Sequence, residues 1–184
     1  MKSTPVFSAA EWIASNTYGG TRISAEAEAA VSSFTTMWNL FESALCENRA
    51  SVAAFERVVN RCQPDTIPGD VAQSLKDCIT FWRFRYRTPH GFGDRFLSLN
   101  FRNGDRRDFV ESVLSADLAP PEDEMLALMI IVYRLRNNLF HGLKSFEMLN
   151  EQVKNLDNAS RCIAAVLTVI PSEIVHLQRR GEVA

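Results

Sequence analysis

The apolar residues between positions 24 and 46 recur at helical spacing without a break. Six of them fall on one face of a helix at intervals of four and three residues: Ala27, Val31, Phe34, Trp38, Phe41 and Leu45. Such a stripe is typical of an amphipathic helix that buries one side against other helices. The sequence therefore predicts a long helix that begins near Ser24 and packs into a helical core.

The same periodicity returns further along the chain. Additional helices are predicted over residues 47–62, 70–86, 122–141 and 145–170, with Asp70 and Ser145 as N-caps. Asp105 is predicted to cap a shorter helix through Leu114, and the imperfect alternation at 96–101 indicates a short extended segment. The predicted fold class is all-α, an up-and-down helical bundle of about five main helices.

The length of 184 residues suits a single domain. Residues 1–23 are expected to form a leader that carries a short helix at 8–15 and packs on the body. Residues 24–176 form the bundle, interrupted at 88–120 by a loop and short-helix insertion that contains several glycines and asparagines. Residues 177–184 are expected to form a frayed tail.

The formal charge of −2 argues against a protein that coats nucleic acid indiscriminately. The segment 81–107 nevertheless contains seven arginines and two aspartates. This basic segment suits an anionic partner, or it is an ordinary solvated surface. Aromatic residues alternate with arginines over 81–87, where they could stack bases. The favoured interpretation of the same pattern is that the aromatic residues belong to the core and the arginines beside them lie on the surface.

The four cysteines have neither C-x-x-C pairing nor histidines at zinc-ligand spacing, and are predicted to be reduced, mostly buried thiols. No metal or cofactor is expected. The N-terminus lacks the pattern of a signal peptide, and no apolar stretch reaches the roughly 18 residues of a membrane span. The expected location is the cytoplasm, without a membrane partner.

The segment from Tyr133 to Lys144 carries the residues best suited to chemistry. It places Arg136, two asparagines and His141 at the end of a helix, and Gly142 is typical of the residue just past a helix C-terminus. No Asp or Glu occurs between 125 and 146, whereas Arg134, Arg136 and Lys144 are present. A bound anion would therefore meet local attraction.

Arg136 and His141 are separated by four residues, which on an unbroken helix puts them roughly 140° apart. Two arrangements would let them converge on one phosphate. Either the helix ends between them and His141 swings back, or a second copy of the chain supplies the complementary half of the site. Arg85 and His90 have the same spacing, but Pro89 and the glycines that follow predict a helix running out into a loop.

The motif resembles the HEPN family, small all-helical proteins whose signature is Arg, four to six residues, then His. The polar Asn137 directly after Arg136 and the continuation Asn-Leu-Phe-His-Gly at 138–142 are similar to the family as well. The resemblance implies a metal-independent ribonuclease of toxin–antitoxin or phage-defence systems that works as a homodimer with the motif at the interface. It thereby implies RNA as substrate and a cognate antitoxin protein as a partner. Where some members carry a Tyr that is modified by the antitoxin, this chain has Leu143.

RNA cleavage without a metal needs a base for the ribose 2′-hydroxyl and a cation for the charge that builds on the phosphate. A neutral imidazole, with an ordinary pKa of about 6.5, suits the first task and a guanidinium the second. The predicted catalytic residues are therefore His141 and Arg136, with Asn137 positioning the phosphate or the imidazole. Arg134 and Lys144 are predicted to bind substrate.

Several alternatives stay open at this point. Arg136, Asn137 and His141 suit a purely structural role as caps of the helix C-terminus. A noncatalytic HEPN-like module that binds RNA, nucleotides or a protein partner would carry the same motif. The row Met129, Tyr133 and Phe140 suits either a dimer interface or a wider core contact. Glu42 either supports Arg136 or His141 or is simply an exposed or capping carboxylate. No Gly-rich phosphate loop or Gly-x-Ser-x-Gly turn is present.

Overall fold

The computed structural model describes residues 7–18, 23–63, 67–141 and 146–170, with the backbone alone for 141, 146 and 147. Over these residues the fold is the predicted all-α helical bundle. An antiparallel pair of two-residue strands, β1 (Arg87–Thr88) and β2 (Gly91–Phe92), interrupts it between α4 and α5. The helices are α1 (Ala9–Asn16), α2 (Ala25–Cys46), α3 (Val52–Val59), α4 (Gly69–Tyr86), α5 (Asp94–Leu97), α6 (Arg107–Ser115), α7 (Pro121–His141) and α8 (Val153–Val169), with a 3₁₀ helix at Phe146–Gln152.

Helix α7 runs through the centre of the bundle. Every residue from Glu124 to Val132 is buried, which requires neighbours all round the helix. Helices α3, α4, α6 and α8 pack against it, and Trp38 of α2 stacks on Tyr133 with ring centroids 6.1 Å apart. Beyond Val132, buried residues alternate with half-buried ones up to the exposed Phe140. The C-terminal end of α7 therefore reaches the surface.

The apolar stripe of α2 faces the core as predicted. Phe34, Trp38 and Phe41 are almost fully buried, and Val31 is half-buried. Ser24 is the N-cap, and its hydroxyl accepts a hydrogen bond of 3.1 Å from the amide of Ala27. This bond satisfies one of the free amides of the first turn.

Three predicted helix starts are wrong. Helix α3 begins at Val52 rather than near 47, because Glu47 and Asn48 adopt left-handed backbone with φ of 52° and 58°. Helix α4 begins at Gly69, one residue before the predicted cap Asp70. The last α-helix begins only at Val153, after the 3₁₀ helix; Ser145 lies outside the described residues.

The insertion also differs from its predicted form. The extended residues lie in the β1–β2 hairpin, whereas 96–101 contains the end of α5 and turns that bury Phe96 and Leu99. Asp105 does not cap α6, whose N-cap is Arg106 without a side-chain bond. The Asp105 carboxylate instead accepts a hydrogen bond of 2.6 Å from the amide of Arg102.

Helix α1 has the predicted position, with Ser8 as its N-cap. None of its residues is fully buried, and Ala10, Ile13 and Ala14 are half-buried. The predicted tail lies outside the described residues. No helix in the described part of the chain combines the length and the apolar character that crossing a bilayer requires.

Candidate active site at the end of helix α7

Helix α7 continues without a break from Arg136 to His141, its last residue. The predicted arrangement in which the helix ends between the two residues is therefore wrong. On a continuous helix they lie roughly 140° apart around the axis. The other predicted arrangement, in which a second copy of the chain supplies the complementary half of the site, is compatible with a continuous helix.

Two aromatic rings flank the Arg136 guanidinium. Its central carbon lies 5.8 Å from the ring centroid of Trp38 and 5.1 Å from that of Phe140, within the range of cation–π attraction. The side chain is half-buried, and its Nε atom is buried without a hydrogen-bond partner in the described part of the chain. Among the described residues no carboxylate pairs with it. The structure thus presents a fixed arginine with donors that remain available for an anion.

Asn137 contacts Arg136 directly. Its side-chain oxygen accepts a hydrogen bond of 3.3 Å from Arg136 Nη1, and the residue is only 9% exposed. This bond uses one donor of the guanidinium and restricts its orientation. The structure therefore brings Arg136 and Asn137 together, with Asn137 in a position to hold the arginine rather than a substrate.

The other two predicted site residues are less well defined. Lys144 lies outside the described residues. His141 is described only as the last residue of α7, so the backbone fixes its place on the helix but not its contacts.

Arg134, predicted to bind substrate, is buried in the interior. It is 2% exposed, and its Nη1 forms an ion pair of 3.1 Å with Asp105 Oδ2. Its Nε donates to the carbonyl of Leu99 at 3.0 Å, and Nη2 donates to the carbonyl of Asn100. Burial lowers the pKa of this guanidinium, while Asp105 opposes that change. The contacts give Arg134 a structural role, fastening residues 99–105 to α7.

Asn138 shares this role, which the sequence analysis missed. Its amide nitrogen donates to the carbonyls of Ser98 and Leu99 at 2.9 and 3.2 Å. The signal was present in the spacing, because residues 134 and 138 are one turn apart and share a helix face. The same rule identifies Phe140, one turn beyond Arg136, as its neighbour.

The Glu42 carboxylate holds Trp38 and the residue that precedes the N-cap of α3. Its two oxygens accept hydrogen bonds from the Trp38 indole at 2.9 Å and from the amide of Ala50 at 3.2 Å. It therefore fixes the indole ring that lies against Arg136. Within the described residues, Glu42 acts on Arg136 through Trp38.

The apolar row beside the motif is mostly core. Met129 is 3% exposed, and Tyr133 is half-buried against Trp38 and Phe55. Phe140 differs, since 52% of it is exposed. The exposed part of the predicted dimer patch is thus limited to Phe140 at the end of α7.

The second Arg-x4-His pair behaves as predicted, because α4 ends at Tyr86 and His90 lies exposed in the β1–β2 turn.

The basic segment, residues 81–107, divides into two groups of arginines. Arg83, Arg106 and Arg107 pair with Glu124, Glu56 and Glu111. The other four arginines have no such carboxylate partner in the described part of the chain: Arg85, Arg87, Arg95 and Arg102. Trp82 and Tyr86 are core residues, as favoured, whereas Phe84 is exposed.

Within the described residues, no three His, Cys, Asp or Glu side chains are grouped closely enough to hold a metal ion. Cys46, Cys78 and Cys162 are buried free thiols, and Cys62 is a half-buried one.

Comparison of the chain with family models, with curated proteins and with solved structures gives no match.

Proposed function

We propose that this protein is a metal-independent endoribonuclease of the HEPN type. It acts in the cytoplasm as a homodimer, and Arg136 of one copy and His141 of the other form each site. Its resemblance to HEPN proteins assigns it to toxin–antitoxin or phage-defence systems, with a cognate antitoxin protein as a partner.

The observation that carries the proposal is the environment of Arg136. A half-buried arginine usually has a carboxylate partner, because burial of an unpaired charge is costly. Arg136 has only the oxygen of Asn137 and two aromatic rings among the described residues. A phosphate would accept hydrogen bonds from its remaining donors and supply the missing charge.

The chemistry follows from these groups. Neutral His141 takes the proton of a ribose 2′-hydroxyl, and the 2′-oxygen attacks the neighbouring phosphorus. The bond from phosphorus to the 5′-oxygen breaks, and the leaving oxygen takes a proton from water or from a protonated His141. Arg136 stabilises the negative charge on the phosphate oxygens as it builds. The products end in a 2′,3′-cyclic phosphate and a 5′-hydroxyl, and DNA is not cut because it lacks the nucleophile.

The alternative of helix capping has less support for two of the three residues. A capping side chain donates to the free carbonyls of the last turn. Arg136 instead donates to the side chain of Asn137, and neither residue donates to a carbonyl in the described part of α7. Removal of Arg136 should therefore affect activity more than it affects stability.

The direct experiment is cleavage of end-labelled total RNA and of a random-sequence RNA pool in EDTA. Wild type is compared with Arg136→Ala, His141→Ala and the control Arg87→Ala, which removes an exposed arginine of β1. We expect wild type and the control to cut equally and to leave cyclic phosphate ends. Arg136→Ala and His141→Ala should each cut at least about 100-fold more slowly.

Equal cutting by all four proteins would place the activity elsewhere and refute the assignment. Binding of RNA by wild type without any cutting would support the noncatalytic binding module instead. The environment of Arg136 suits RNA binding in both functions, and the two differ only in whether the bound RNA is cut.

A further inference from the structure

A cavity of about 700 Å³ lies on a different side of α7 from Arg136. The ends of α4 and α5, the 3₁₀ helix and α8 enclose it, and Leu135, Asn138 and Leu139 form the α7 wall. Its volume lies within the range of pockets for small organic ligands. Arg95, Ser98 and Glu151 at its border are exposed, so the cavity is open to solvent.

Two arginines that have no carboxylate partner among the described residues line this cavity. Arg85 is half-buried at the end of α4, and Arg95 is exposed on α5. Burial lowers the pKa of Arg85, and repulsion from Arg95 contributes to the change. Two acidic residues, Asp94 and Glu151, also line the cavity, but neither forms an ion pair with these arginines among the described contacts. A small anion between the two guanidinium groups would relieve their repulsion.

The inner wall offers a buried acceptor. Asn155 of α8 is 3% exposed, and its side-chain oxygen has no hydrogen-bond partner in the described part of the chain. Its amide nitrogen donates to Gln152 Oε1 at 2.6 Å, which fixes which end of the carboxamide is free. A buried oxygen without a donor is costly. A ligand hydroxyl or amino group would supply that donor.

The rest of the lining is mixed. Ser98, Asn100 and Gln152 add polar groups, whereas Tyr86, Leu99 and Leu156 form an apolar side. Polar side chains beside apolar surface suit the hydroxyls and carbon skeleton of a sugar. Two cations and a buried acceptor in one cavity are complementary to a ligand that is anionic at one end and donates a hydrogen bond at the other.

We propose that this cavity binds a small hydroxylated organic phosphate, with the phosphate between Arg85 and Arg95 and a hydroxyl donating to Asn155. The shared chemistry is that of a phosphorylated sugar, either free or as part of a mononucleotide. The site is separate from the proposed ribonuclease site and does not depend on it.

The test is isothermal titration calorimetry of the full chain with ribose 5-phosphate, ribose, inorganic phosphate and adenosine monophosphate. We expect one molecule of ribose 5-phosphate per chain, no measurable binding of ribose, and inorganic phosphate weaker by about tenfold or more. Tighter binding of the mononucleotide than of ribose 5-phosphate would identify mononucleotides as the source of the ligand, and the reverse order would identify free phosphosugars.

Variants locate the site. Arg95→Ala removes an exposed side chain and should weaken binding of ribose 5-phosphate by about tenfold or more, as should Arg85→Gln. Arg87→Ala, which removes an exposed arginine outside the cavity, and Arg136→Ala, in the other site, should bind as wild type does. Thermal unfolding verifies that each variant is folded, and Arg95→Ala decides the test should Arg85→Gln fail to fold.

Four results would overturn the proposal. The first is no binding of either organic phosphate. The second is unchanged binding by Arg95→Ala. The third is inorganic phosphate binding as tightly as ribose 5-phosphate, which would remove the role of Asn155. The fourth is loss of binding in Arg136→Ala alone, which would assign the ligand to the proposed ribonuclease site instead.

Discussion

Arg134 and Arg136 are separated by one residue but lie in opposite environments. A step of two residues turns roughly 200° around a helix, so one faces the insertion and the other faces α2. Arg134 pairs with Asp105 and donates hydrogen bonds to two carbonyls. Arg136 has a single polar contact among the described residues. Identical side chains in one motif therefore serve different purposes, and only Arg136 remains available to bind a phosphate.

Cys46 gives a prediction for stability against pH. Burial, with a smaller effect of the Glu42 carboxylate, raises the pKa of this thiol to about 12. A pKa raised in the folded state contributes stability below the ordinary thiol value of 9.0, and that stability is lost as the pH rises toward 12. Between pH 8 and 10 the free energy of unfolding of wild type should therefore fall by about 1 kcal/mol more than that of Cys46→Ala.

Urea unfolding at several pH values measures this difference directly. The offset between the two proteins at pH 7 reports the packing of the sulfur, so only the change with pH bears on ionisation. Parallel pH profiles would show that the thiol titrates normally in the folded protein.

At the scale of elements, α7 both supports the core and anchors the insertion. Arg134 and Asn138, one turn apart, hold residues 98–105 through carbonyls and Asp105. Residues 98–105 form no helix or strand, so these side-chain contacts help to fix their position. The same residues fix one wall of the cavity, because Ser98, Leu99 and Asn100 line it.

Arg134→Ala should lower the free energy of unfolding by about 3 kcal/mol or more, because it leaves Asp105 without its buried partner. The matched control is Arg161→Ala, which removes an exposed ion pair between Arg161 and Asp157 on α8. That change should cost about 0.5 kcal/mol or less. Chemical denaturation of both variants compares the two, and equal costs would contradict a structural role for Arg134.

Sequence periodicity predicted the helices well where one face is apolar. The stripe of α2 and its cap at Ser24 are confirmed, because both follow from local spacing and hydrogen bonding. The boundaries of α3 and α8 were missed, because left-handed residues at 47 and 48 and a 3₁₀ turn before Val153 leave no strong sequence signal.

The site could be predicted only in part, since its contacts join distant segments. Arg136 and Asn137 are adjacent in sequence, and their contact follows the motif. Trp38 beside Arg136 and Asp105 beside Arg134 depend on tertiary packing. The cavity has the same origin, because Arg85, Arg95 and Asn155 come from three different helices.

For the whole molecule, the proposed activity requires two copies. Arg136 and His141 occupy different faces of one continuous helix, so a second chain has to complete the site. Phe140 lies between them in sequence, and 52% of it is exposed beside Arg136. An exposed aromatic next to a site is well suited to the centre of an interface.

Phe140→Asp should therefore convert the proposed dimer to a monomer and abolish RNA cleavage, because a charge would be buried in the interface. Leu118→Asp is the control. It replaces an equally apolar, exposed residue near the other end of α7, roughly 30 Å away along the helix axis. Analytical ultracentrifugation of both variants measures the change. A wild type that is monomeric at the concentrations at which it cuts RNA would contradict the dimer.

Subunit complementation tests the composite site most directly. Arg136→Ala and His141→Ala are each inactive in the proposed mechanism, but a mixed dimer regains one intact site from the two undamaged halves. After the two variants are mixed in equal amounts and allowed to exchange subunits, cleavage of RNA in EDTA should recover to about a quarter of the wild-type rate. No recovery, with mixed dimers demonstrated by mass spectrometry, would contradict a site that is shared between two chains.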